Sequence, residues 1–182
     1  MRIENLSFSY GDKPIFTDFS ADTDSGIICL MGPSGCGKTT LLHILAGLIR
    51  ADGGRISDFP ESRSIMFQED RLLPWLDARG NVALVLDRND DDDVCGKLLR
   101  QLEIDPEMKI TKMSGGMKRR VALARALAFR SGALLLDEPF KGLDEDLMKK
   151  CAALIRSTGK PAVVSTHSET EALALGARIL RL

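Results

Sequence analysis

Apolar residues along this chain fall into two kinds of run. Short, essentially unbroken runs recur at Ile27-Ile28-Cys29-Leu30-Met31, Ser64-Ile65-Met66-Phe67, Ala133-Leu134-Leu135-Leu136 and Ala162-Val163-Val164, and Arg178-Ile179-Leu180-Arg181-Leu182 reads as a final strand. Runs of this length without alternation predict strands buried on both faces, as in a parallel sheet. Between them lie stretches with helical spacing, at about 38–47, 77–86, 94–103, 115–129, 145–157 and after Ser168. Strand and helix alternating in this way predict an α/β domain. The first 22 residues differ. Residues 2–10 and 15–22 read as two strands joined by Gly11-Asp12-Lys13-Pro14, which has the chemistry of a turn. They predict an antiparallel element placed ahead of the parallel core.

The loop between the 26–31 strand and the helix that follows carries the first chemistry. Gly32-Pro33-Ser34-Gly35-Cys36-Gly37-Lys38-Thr39-Thr40 is a complete G-x-x-x-x-G-K-[ST] run. In a strand–loop–helix setting it is a phosphate cradle. Glycines let backbone N–H groups turn inward, and the helix adds its positive N-terminal end. Lys38 supplies a charge for β- and γ-phosphates, and the Thr39 hydroxyl suits Mg²⁺. The other strand ends point to the same crevice, because ligands of open α/β sheets sit beyond the carboxyl ends of the strands. Gln68 ends the 64–67 strand, Asp137-Glu138-Pro139 ends the 133–136 strand, and His167 ends the 160–166 strand. A carboxylate in the position of Asp137 is the usual second Mg²⁺ element of such a site, and Glu138 is the candidate to polarise a water. Tyr10, beside the first turn, is either a stacking surface for a base or an ordinary strand-end aromatic.

Two further stretches are ambiguous. Ser114-Gly115-Gly116 opens the 115–129 helix, with Lys118, Arg119 and Arg120 following. This is a second anion-receptive helix N-terminus, or a capped helix with basic residues on a solvated face. Leu72-Leu73-Pro74-Trp75-Leu76 is a loop-like stretch with four large apolar residues, either a docking surface or a segment packed beneath its own loop. The run Asp90–Asp93 lacks the pattern of a calcium loop and reads as a solvated segment that caps the next helix. Gly142-Leu143-Asp144 is a turn in which Asp144 caps the 145–157 helix.

Composition narrows the class. The chain has 182 residues, a formal charge of −1 and 44% hydrophobic residues. That is one domain with an ordinary core and no electrostatic signature of nucleic-acid or anionic-membrane binding. No apolar run approaches the ~20 residues of a membrane span, and the N-terminus has no signal-peptide pattern. Any membrane role is expected to be peripheral, through a partner. Cys29, Cys36, Cys95 and Cys151 have no zinc or C-x-x-C spacing and read as free thiols in a reducing cytoplasm. Cys36, in the phosphate loop beside a helix N-terminus, is a possible alkylation site.

Taken in order, these motifs resemble the ATP-binding subunit of an ABC transporter over essentially the whole chain. Gly32–Thr40 matches the Walker A motif, Gln68 the Q-loop, and Ser114-Gly115-Gly116 the ABC signature. Leu134–Glu138 matches Walker B, Gly142-Leu143-Asp144 the D-loop, and His167 the switch histidine. Tyr10 falls where the family has its adenine-stacking aromatic. The resemblance implies a P-loop NTPase core with a mainly parallel sheet, an N-terminal antiparallel β element and a compact helical subdomain at about 77–128, all within one domain, 1–182. It implies Mg²⁺-dependent hydrolysis of ATP. Lys38, Gly37 and the loop amides would hold the phosphates, with Thr40 near the α-phosphate. Thr39, Asp137 and Gln68 would serve the metal. Glu138 would be the general base and His167 would contact the γ-phosphate. Ser114, Gly115 and Gly116, with Asp144, would reach the ATP of a second subunit in a head-to-tail homodimer.

The signature reads Met-Ser-Gly-Gly-Met where the family commonly has Leu-Ser-Gly-Gly-Gln. Met117 and the Gln68–Leu76 stretch resemble importer ATPases of the nitrate, sulfonate and taurine group. Expected partners are transmembrane permease subunits and a substrate-binding protein, with no nucleic acid. The expected location is the cytoplasmic face of the membrane. The short chain also leads to the expectation of no appended regulatory domain. One alternative is a non-transport ABC ATPase of DNA repair, chromosome organisation or translation, but no heptad run lies between Lys38 and Ser114. The other is a P-loop kinase or nucleotide-binding regulator.

Overall fold

In the computed structural model, residues 1–23, 26–87 and 93–182 are described. Strands β1 (Arg2–Tyr10), β2 (Lys13–Asp22) and β4 (Gly53–Ser57) form an antiparallel sheet in the order β2-β1-β4. The hairpin is therefore the expected one, with β2 starting two residues earlier and β4 added at its far edge. Strands β3 (Ile27–Met31), β5 (Arg63–Met66), β6 (Ala133–Asp137), β7 (Ala162–Ser165) and β8 (Arg178–Arg181) form a second sheet in the order β5-β6-β7-β3-β8. Every pairing in it is parallel.

The unbroken apolar runs follow from this sheet being covered on both faces, with successive side chains pointing opposite ways. In β6, Leu135 joins one core while Leu134 and Leu136 join the other, and all three are fully buried. Val163, Ile28 and Leu30 share the face of Leu135. There they meet helix α1 (Lys38–Leu45) and the inner face of the antiparallel sheet, including Ile3, Leu6, Phe8 and Phe16. The opposite face carries α4 (Gly115–Ala128), α5 (Glu145–Ser157) and α6 (Glu169–Leu175). The same core runs on without a break into α2 (Ala78–Ala83) and α3 (Val94–Gln101) through Val82, Cys95 and Leu99. Helix α4 belongs to both regions. It packs against α2 and α3, and the Ser64 hydroxyl of β5 donates to the Ala126 carbonyl at 2.7 Å. The expected helical subdomain is thus continuous with the main core.

Local chemistry sets the helix starts. Ser114, Asp144, Asp77 and Ser168 each accept a backbone N–H of the helix they precede. Asp93 departs from expectation. It precedes α3 but makes no side-chain cap; its carboxylate pairs instead with Arg100 at 3.1 Å. The neighbouring Asp90–Asp92 lie outside the described residues.

Candidate active site

Helix α1 begins at Lys38, directly after Gly37, whose φ of 104° lies in the left-handed region. A Cβ on Gly37 would stand 2.7 Å from the Phe16 ring. The loop can close over the antiparallel sheet only with glycine at this position. Lys38 is 7% exposed, and its ammonium donates to the Gly32 and Pro33 carbonyls at 2.8 and 3.0 Å. Those bonds hold the charge over the mouth of the loop. Thr39 donates its hydroxyl proton to Asp137 Oδ2 at 2.7 Å, which joins the loop to the end of β6.

One cleft of about 330 Å³ gathers most of the expected residues: Tyr10, Ser34, Gly35, Gly37, Lys38, Thr39, Thr40, Gln68, Asp137, Glu138 and His167. They come from five separate stretches of sequence. The parallel topology explains the convergence, since β3, β5, β6 and β7 all end on this side. Tyr10 is half exposed and stands edge-on to Phe8, leaving a ring at the rim. Lys13 and Ile15 also line the cleft; as ordinary strand residues they carry no motif that announces them.

Glu138 is held from several sides. It sits just after β6 at φ 49°, an uncommon conformation for a residue with a side chain. Its N–H donates to Ser165 Oγ at 2.9 Å. Its carboxylate is 3.2 Å from Lys141 Nζ and 3.3 Å from His167 Nε2. Burial pushes the carboxyl up, but the Lys141 ammonium, His167 and a hydrogen bond with the Gln68 side chain pull it down, and the net effect lowers it. Asp137 is buried; its second oxygen accepts the Ser165 hydroxyl.

Other expected residues stand elsewhere. Gly32 and Pro33 contribute carbonyls to Lys38 but do not line the cleft. The Cys36 thiol faces a separate apolar groove with Phe16, Phe19 and Leu182. Cys29 and Cys151 are buried, and burial raises their thiols to about 12 and about 11. Ser114, Gly115 and Asp144 are exposed and outside the cleft. A Cβ on Gly116 would come 3.0 Å from the Gly142 carbonyl, so the signature turn packs against the turn at 142–144.

The basic residues of α4 correct the sequence reading. Arg119 and Arg120 are 3% and 8% exposed, neither solvated nor open to an anion. Arg120 donates to the Leu102 and Glu103 carbonyls, the latter at 3.2 Å. Arg119 reaches toward the ends of β5 and β6. The 72–76 stretch divides between its two readings. Leu72 packs on the core, whereas the Trp75 ring is 75% exposed.

A phosphate cradle at the carboxyl edge of a parallel sheet, with carboxylates at the next strand ends, defines a P-loop nucleotide-binding protein. The sequence profile of the ABC transporter family matches residues 18–141. The taurine import ATP-binding protein of Escherichia coli strain K12 is 34% identical, over all of this chain and 79% of its own length. The corresponding protein of Pseudomonas putida is also 34% identical, over all of this chain and 78% of its own. Among solved structures, a dimeric ATP-binding cassette in a post-hydrolysis state with ADP and Pi superposes with a TM-score of 0.85 at 27% identity, covering 100% of this chain and 93% of that one. A dimeric bacterial ABC transporter cassette gives 0.84 at 26%, with the same coverage. The chain belongs to the ABC transporter family, as an ATP-binding subunit that hydrolyses ATP to drive transport. These relatives do not favour a non-transport role. Among the described residues no helix is long and apolar enough to cross a membrane.

Proposed function

We propose that this subunit powers an importer for a small sulfonate-type solute, working as a homodimer on the cytoplasmic face of the membrane beneath permease subunits that receive cargo from a substrate-binding protein. The taurine import relatives support the direction and cargo class. The observation that carries the catalytic part is the convergence of Lys38, Thr39, Gln68, Asp137, Glu138 and His167 on one cleft. The unit is one ABC ATPase domain, 1–182, in which 77–128 form the helical region bearing the signature.

The roles follow from chemistry. Tyr10 stacks on the adenine, and the 32–40 loop with Lys38 holds the phosphates. The Thr39 hydroxyl, the Asp137 carboxylate and the Gln68 amide oxygen are hard oxygen donors that suit Mg²⁺. That ion, when bound, neutralises charge on the phosphates. The Thr39–Asp137 bond of 2.7 Å keeps two of these donors together. Glu138, held ionised by its neighbours, accepts a proton from the attacking water, and His167 steadies the γ-phosphate. Ser114, Gly115, Gly116 and Asp144 lie outside the cleft of their own chain and are free to meet the nucleotide of a second copy. Hydrolysis then depends on closure of two subunits.

The test is capture from the native host. A tagged Glu138→Gln variant is expected to retain ATP and to bring down a polytopic membrane protein from solubilised membranes. Recovery with a soluble nucleic-acid complex, or with no membrane protein, would remove the importer reading while leaving the ATPase chemistry intact.

A further inference from the structure

Outside the lining of the cleft, the buried Arg119 gathers the backbone of both catalytic strand ends. The Arg119 guanidinium donates through Nε to the Glu138 carbonyl at 3.0 Å and through Nη2 to the Asp137 carbonyl. Through Nη1 it reaches the Phe67 and Gln68 carbonyls at 2.9 and 3.0 Å, and the Asp70 carboxylate at 2.9 Å. The four carbonyls come in two consecutive pairs, one just after β5 and one at the end of the adjacent strand β6. The bond to the Asp137 carbonyl is buried and the other three are part-buried, so loss of the fork would leave at least the Asp137 carbonyl short of a donor away from water. A planar, permanently charged fork can span them; a point charge cannot.

Arg119 is anchored on α4, and α4 starts at the Ser114 cap. Further along the same helix, Arg125 donates to the Asp70 and Arg71 carbonyls at 2.7 and 2.8 Å. Four carbonyls of the segment 67–71 are thus held by one rigid helix, and two more fix the peptide units of Asp137 and Glu138. The left-handed backbone of Glu138 is the local conformation this grip maintains. A displacement of the signature end of α4 therefore has a direct path to Gln68 and Glu138.

We propose that Arg119 is a positioning residue that couples the signature end of α4 to the hydrolytic pair Glu138 and Gln68. Arg119 does not line the cleft. Its effect lies on turnover and not on binding. The inference rests on the ATPase reading above.

The test is steady-state ATP hydrolysis with Mg²⁺, nucleotide affinity and a melting curve, for the unmodified chain, Arg119→Lys and Asp70→Asn. The lysine keeps a charge but loses the fork. Expected for Arg119→Lys is a fall in kcat of at least about tenfold, with KM and the ATP Kd within about threefold. A kcat within twofold of the unmodified chain would overturn the inference, as would an equal loss of nucleotide binding. Asp70→Asn weakens the fork's hold on the 67–71 segment without cutting a backbone bond, and it serves where the lysine variant does not fold. It is expected to lower kcat about threefold at unchanged Kd; unchanged kcat would overturn the inference. An unmodified chain that does not hydrolyse ATP would instead defeat the underlying reading, which separates the two failures.

Discussion

At the residue scale, the decisive balance is at Glu138. Desolvation alone would favour a protonated carboxyl, which is useless as a base. Lys141 at 3.2 Å reverses the sign, with help from His167 and Gln68. A carboxyl held below its ordinary value contributes stability above that value, and the contribution disappears as pH falls through the lowered one. The same ordering governs activity. The acid limb of kcat/KM, which reports the free enzyme, should lie below the ordinary glutamate range. Removing the ammonium in Lys141→Ala is expected to move that limb to higher pH, with nucleotide binding retained. An unmoved limb in a pH–rate profile would show that Lys141 does not set the base. Lys141 itself is hard to find in the sequence. It follows Pro139-Phe140 in a turn, and its meaning depends on a fold that brings residue 141 back onto residue 138. Gln68, Asp137, Glu138 and His167 were legible because each lies at or just past the end of a strand with an apolar run, and those strand ends face one crevice.

At the scale of elements, capping and apolar period carry far. The starts of α4 and α5 at Ser114 and Asp144 are written in side chains that can accept a backbone N–H. Long polar side chains are where the sequence misleads. Arg119 and Arg120 follow the signature like residues of a solvated face, yet both are buried, because inward-turned carbonyls near them need donors that no apolar pattern reveals. Asn81 is a second case. It is fully buried in α2 and anchors the loop before it, accepting the Leu73 N–H at 2.7 Å and donating to the Leu73 and Asp77 carbonyls at 3.1 and 2.9 Å. This clamp lets Leu72 pack while Trp75, three residues further on, projects outward. Asn81→Ala should leave the Leu73 N–H without its partner, while the Leu73 carbonyl keeps the Leu76 N–H, and cost about 1–3 kcal/mol. A thermal or urea melt indistinguishable from the unmodified chain would show that water replaces the clamp without loss.

At the scale of the whole molecule, the proposed homodimer makes each cleft half of a shared site, and the sheets set where its parts stand. One core lies between the parallel sheet, α1 and the antiparallel sheet; the other lies beneath α4–α6 and runs into α2 and α3. The phosphate loop and the catalytic strand ends stand on the carboxyl edge between these cores, while the signature turn at Ser114 is exposed beside the turn at 142–144. Ser114 does not line the cleft of its own chain, and in the homodimer proposed above the N-terminal end of α4 meets the nucleotide of the other copy. With Glu138→Gln, ATP should bind and not be consumed, and the two-copy arrangement should persist. Light scattering with ATP and Mg²⁺ is then expected to give about twice the monomer mass, returning to monomer with ADP. Ser114→Arg in the same background should keep nucleotide binding and lose the dimer, because a bulky cation would occupy the place of the small cap. A monomer under every condition would mean that this chain closes only when permease subunits hold two copies together, and a dimer indifferent to Ser114→Arg would place the contact on another face.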